Sequence, residues 1–242
     1  MKALGKDISR AVMKNGYDMS DGKLIIPAAK FAIGGVFSSE VLRHKSVQAA
    51  LDEGDPEKAD AMRLRAVRMG FAHTLEGYEP QQVSSDANII PDAGINFILN
   101  LLCGSASKVM TWYQGLIAQN TTPNSSWGAG WSGTLTHMAN EFPDSSASAG
   151  EGNFYTGSGR KSTVFGVATN RSILTSTASS FTMGTGTADA TIYGSTLNSN
   201  STVNWDGTSG YLLSAALFSS PKSGLGAADI LNVSYELRGT SA

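Results

Sequence analysis

The sequence predicts an α+β protein in which a helical and extended N-terminal arm, residues 1–87, precedes an antiparallel, jelly-roll-like β-sandwich with one short helix, residues 88–242. Three observations predict it. Residues 1–103 carry 25 Asp, Glu, Lys and Arg, whereas the longer remainder carries 13, with 42 Ser or Thr. The first part is punctuated like helices, with caps and stops at helical spacing. The second is broken into short β-branched and aromatic runs separated by Gly, Ser, Asn and Asp, the punctuation of a sandwich or barrel.

Within the arm, Asp7 to Lys14 reads as a short helix, and Lys23 to Pro27 and Lys30 to Phe37 read as extended or irregular. Ser39-Glu40 opens a helix carrying Val41, Leu42, Ala49 and Leu51 and closing at Gly54. A second helix starts at Asp55-Pro56, an N-cap followed by proline at the first helical position, and stops at Gly70. The tight connection between the two predicts an αα-hairpin. Arg63, Arg65 and Arg68 lie on the second helix, where Glu57 and Asp60 offset them, so they read as a solvated or ion-paired face.

In the β-half, Pro91-Asp92 starts a helix that ends at Gly104. Ile95, Ile98, Leu99 and Leu102 share one of its faces, which should pack on a sheet. Strands are expected at 109–118, 163–169, 172–175, 179–183, 190–197, 211–218 and 230–237. The last is the clearest, because Leu231, Val233, Tyr235 and Leu237 alternate with Asn232, Ser234 and Glu236.

With 242 residues, 41% of them hydrophobic, the chain can bury a core. A net charge of -2 offers no general attraction to nucleic acid or to an anionic membrane. One cysteine, Cys103, excludes an internal disulfide and reads as a buried small hydrophobe. The N-terminus lacks the apolar run of a signal peptide, and no stretch of about 18 apolar residues occurs, so the expectation is a soluble protein assembled in a cytoplasm.

Catalytic patterns are weak. His44, His73 and His137 have no G-x-S-x-G partner, and Ser105 to Lys108 and Ser158 to Lys161 match S-x-x-K without its companion motifs. Gly157 to Thr163 lacks phosphate-loop spacing and reads as a turn entering a strand. No metal-ligand spacing appears, so no enzyme, cofactor or metal is expected.

The long polar segment 123–159 holds Trp127, Trp131, Phe142, Phe154 and Tyr155. These aromatics either anchor an interface or cap the local core. With Arg63, Arg65 and Arg68 they make up the candidate interface. Glu141, Asp144 and Glu151 beside the two tryptophans leave a carbohydrate-binding module as a separate alternative.

An ordered set of segments then bears on function: Asn88-Ile-Ile-Pro-Asp-Ala-Gly-Ile-Asn-Phe-Ile-Leu-Asn100, Thr111-Trp-Tyr-Gln-Gly-Leu116, Thr122-Pro123, Thr191-Ile-Tyr-Gly194, Leu213-Ser-Ala-Ala-Leu-Phe218 and Asp229-Ile-Leu-Asn-Val-Ser-Tyr-Glu-Leu237. In this order and spacing the β-half resembles a family of small tailed-bacteriophage virion structural proteins, among them capsid decoration or cement proteins. The resemblance implies a homotrimer on the head surface, contacting the major capsid protein or other virion proteins, with tail, collar or fibre attachment as the alternative address. Residues 1–87, absent from shorter members, would reach over neighbouring subunits.

Overall fold

The computed structural model of the chain describes residues 18–20, 23–25, 31–104, 109, 111–117, 155–156, 160–184, 190–201 and 210–241. They fall into two compact units, Met1–Ile33 with Gly239–Ala242, and Gly34–Arg238. The expected helix at 7–14 and most of segment 123–159 lie outside the described residues. The smaller unit contains an antiparallel hairpin of β1 (Asp18–Ser20) and β2 (Lys23–Ile25), in register Met19 to Leu24.

The larger unit takes in β3 (Phe31–His44) from Gly34 onward, with Phe37, Ser39, Val41 and Arg43 as its inward side chains. This corrects the expected helix from Ser39. Phe37 and Val41 are spaced as on a helix, but both lie on one face of a strand, with polar Ser39 and Arg43 buried between and after them.

The helical hairpin follows: α1 (Lys45–Asp52), α2 (Pro56–Met69) and the single turn α3 (Phe71–Thr74). His44 caps α1 by accepting the Ser46 N–H at Nδ1 (3.2 Å), and Asp55 caps α2 by accepting from the Lys58 N–H (2.9 Å). Gly70 ends α2 at φ +68°, a conformation that a side chain would strain. Val47, Ala50 and Ala59 close the hairpin against Leu51 and Met62.

β4 (Tyr78–Ala87) returns antiparallel to β3, with an extra residue opposite the step from Glu40 to Leu42. α4 (Asp92–Cys103) comes next, then β5 (Trp112–Ile117), β6 (Lys161–Thr163), β7 (Ser172–Leu174), β8 (Ser179–Thr182), β9 (Ala190–Asn198), β10 (Leu212–Leu225) and β11 (Ile230–Ser241). One sheet is ordered β4-β3-β11-β7, with β8 also on β11, and the other β10-β9-β5-β6.

A common core lies between the sheets: Phe37, Val41, Phe181, Leu231, Val233 and Tyr235 from the first meet Leu116, Ile192, Leu197, Leu213 and Phe218 from the second. The fold is thus α+β, built on an antiparallel sandwich. Each large apolar side chain buried there contributes roughly 1.5–3 kcal/mol, which is why the alternation of β11 was legible as a strand.

Two irregularities shape the sandwich. β7 and β8 run along the same edge of β11 as one strand interrupted at Thr175–Ala178. Thr175 closes the break, donating its N–H to the Tyr235 carbonyl (2.9 Å) and accepting the Tyr235 N–H at Oγ1 (3.1 Å). β10 pairs with β9 at Leu217–Gly194 and resumes at Lys222–Ile192, so three extra residues bulge from β10 between the pairs. A Cβ at Gly194 would collide with the Ala216 carbonyl, so only glycine lets the strands approach at this bulge.

The expected division at residue 88 is corrected. β3 and β4 belong to the same sheet as β11, so residues 34–87 are part of the sandwich rather than an arm. Asn88 hydrogen-bonds Gly35 of the first sheet through its N–H (3.0 Å), while Ile89 exchanges two backbone bonds with Ala215 of the second. The change in composition marks a step from one sheet to the other.

Candidate functional site

The buried charges of the larger unit hold its elements together. Arg43 donates from Nε to both carboxylate oxygens of Asp229 (3.2 and 3.1 Å) and from Nη2 to the Gly224 carbonyl (2.8 Å). Arg63, from α2, donates to the same carbonyl (3.0 Å) and to Asp60 (2.9 Å) and lies 3.8 Å from Asp229. Gly226 donates its N–H to Asp229 (3.1 Å), and a Cβ there would press into the Arg63 guanidinium. Burial pushes the Asp229 carboxyl above its ordinary range, against the pull of Arg43. Helical hairpin, β3 and the β10–β11 turn therefore meet at one carboxylate.

A second cluster closes the corner where β10 bulges. The fully buried Lys222 donates to Ser84 Oγ (2.9 Å) and lies 5.5 Å from the Phe218 ring centre. Ser84 donates to Asp86 (2.7 Å), which also accepts the Ser219 N–H (2.6 Å). Burial lowers the Lys222 pKa, with Asp86 opposing.

In a third cluster, Asn88 donates to Tyr235 Oη (3.0 Å) and to Ser214 Oγ, and accepts the Gly35 N–H (2.5 Å). Burial pushes the Tyr235 phenol up to about 12. Tyr78, donating to the Ala228 carbonyl (2.8 Å), is pushed to about 12 by burial and by Asp229.

The candidate interface residues scatter. Arg63 is buried in the first cluster, a correction to its place on a contact face; Arg65 and Arg68 are exposed on the opposite side of α2. Of the two roles open to Tyr155, core cap or interface anchor, it takes the first: it is fully buried and edge-on to Phe181 with ring centres 5.2 Å apart, which corrects its place among the contact residues. Trp127, Trp131, Phe142 and Phe154 lie outside the described residues, as do Glu141, Asp144 and Glu151. His44 is structural, stacked on Phe71 at 5.3 Å as well as capping α1. Lys161 enters β6 and donates to the Thr156 carbonyl (2.7 Å).

The surface the sequence reading missed is on α4. The helix packs on β10 through Gly94, where a Cβ would press on the carbonyls of Leu212 and Leu213, and through Phe97, which meets Trp112 and Tyr211. Ile98 reaches the common core. The rest of the apolar face expected to pack on the sheet points outward instead: Ile95, Leu99 and Leu102 are 45%, 55% and 69% exposed, and Cys103, expected to be buried, is exposed. A signal for this was present. Apolar residues at 95, 97, 98, 99, 101 and 102 surround the helix, and one sheet cannot cover them all.

Among the described residues no group of His, Cys, Asp or Glu could hold a metal ion, and no helix is long and apolar enough to cross a membrane. No protein-family model matches the chain, and no curated protein matches it in sequence.

Proposed function

We propose that the chain is a non-enzymatic structural protein of a tailed-phage virion that decorates and stabilises the capsid lattice. One observation carries the contact part of this reading: a rigid sandwich, its interior cross-tied by buried charges, displays a charge-free apolar helix face to solvent. Contiguous exposed apolar surface of this kind marks protein contact on soluble proteins. The virion part is supported by the ordered segments from Asn88 to Leu237. A protein that binds only the expanded shell stabilises it by mass action, and an oligomer adds avidity to weak single contacts.

Stoichiometry tests the address. Quantitative mass spectrometry of purified particles, with the major capsid protein as internal standard, is expected to give copies on the order of hundreds, as a repeated lattice site requires. A dozen or fewer would move the protein to a vertex or the tail, and its absence from particles would end the virion reading.

A further inference from the structure

We propose that the helical hairpin of α1 and α2 is a hinged lid over the β10–β11 turn, pinned by Arg63, and that it opens as a unit while the sandwich stays folded. A turn between strands ordinarily lies in water. Here Ala227, Ala228 and Asp229 are each less than a tenth exposed, and the Arg63 guanidinium of α2 lies directly against Gly226.

Lid and sandwich are joined without a shared core. Val47, Ala50 and Ala59 close the hairpin on itself, and among the described residues this cluster has no member in common with the core between the sheets. Beyond the hairpin's base, the described side-chain hydrogen bonds from α1 and α2 to the rest of the unit are Arg43 Nη1 to Gln48 Oε1 (3.0 Å) and Arg63 Nη2 to the Gly224 carbonyl (3.0 Å). A contact made of polar groups permits relative motion where an apolar one resists it.

The Arg63 contact is incompletely satisfied. Its Nε is buried without a hydrogen-bond partner, and it shares Asp229 with Arg43, which lies closer (3.0 Å against 3.8 Å). Opening returns the Arg63 guanidinium to water and leaves the Arg43–Asp229 pair within the sandwich, so the lid lifts without stranding the carboxylate.

The base of the hairpin is held firmly. His44 packs on Phe71 and Tyr78, with ring centres 5.3 and 5.6 Å away, and Lys45 donates its N–H to the Gly77 carbonyl (2.9 Å). The chain therefore leaves the sheet and returns to it at one fixed place, which is what a hinge requires. Once lifted, helices of 8 and 14 residues are too short to persist alone, so opening frees their amides.

Native-state hydrogen exchange of the full chain in sub-denaturing urea tests the lid. The amides of α1 and α2 are expected to share one opening, with a urea dependence well below that of β5 and β9. Arg63→Ala is expected to speed exchange of both helices by roughly 10- to 100-fold, the range for a hydrogen bond to a charged group, and to leave β5 and β9 unchanged. Arg65→Ala, which removes the same charge from the exposed side of α2, is expected to change neither.

Independent openings of α1 and α2 would overturn the proposal, as would exchange of both only through the opening that frees β5 and β9. An Arg63→Ala variant with unchanged exchange, with equal acceleration of helices and strands, or without a cooperative urea transition would remove Arg63 as the pin. An equal effect of Arg65→Ala would do the same.

Discussion

Arg43 and Asp229, 186 residues apart in sequence, form a salt bridge of 3.0 Å with both side chains almost wholly buried. The pair joins the start of the helical hairpin to the turn that leads into β11. Removing one member strands the other in a low-dielectric interior, whereas removing both leaves a hole that apolar groups can fill.

Asp229→Asn is expected to lower unfolding stability by about 3–5 kcal/mol, because Arg43 loses its counter-charge and Arg63 one of its neighbours. Arg43→Met combined with Asp229→Leu is expected to recover most of that loss. Urea denaturation of Arg43→Met, Asp229→Leu and the double variant measures the coupling. Strictly additive losses would mean that the two side chains act independently.

Tyr235 sets an alkaline limit. Its phenol ionises near pH 12 when folded and near pH 10 when unfolded, so the folded state holds the proton more tightly. The resulting stability, about 3 kcal/mol, is fully present below about pH 10 and is lost as pH rises towards 12. In Tyr235→Phe this part of the pH dependence should vanish, while the loss of the acceptor for Asn88 costs about 1–2 kcal/mol at neutral pH. Stability measured from pH 8 to 12, with phenolate absorbance followed in parallel, is the check; identical slopes in the two proteins would exclude the role.

Residues 88–242 alone are expected not to fold. Their deletion partner, 1–87, takes with it β3 and β4, the Arg43 and Arg63 guanidinium groups, and the Asp86–Ser84 partners of Lys222. The fragment should lack a cooperative urea transition and expose apolar core. A cooperative transition would restore the independent sandwich that the composition suggested.

These relationships explain what was legible in the sequence. Strand β11 and helix α2 were readable because their inward residues are apolar or their ends carry Asp55-Pro56 and Gly70, signals that act locally. The second half of β3 and all of β4 were not, because Ser39, Arg43, Ser84 and Asp86 occupy inward positions and are stabilised there by partners far along the chain. The burial of Arg63 was hidden for a related reason. Exposed Arg65 and buried Arg63 share one helix and look alike in sequence, and the apolar row of α4 looked like core until the sheet was seen to engage Gly94 and Phe97 instead.

The break between β7 and β8 bears on crowding. A straight open strand invites another molecule to continue the sheet, and many copies held close together would then polymerise without limit. In the first sheet one edge is interrupted at Thr175–Ala178, and the other carries Pro80 beside its extra residue. A neighbouring molecule therefore finds no straight, open strand on this sheet to continue, however crowded the solution.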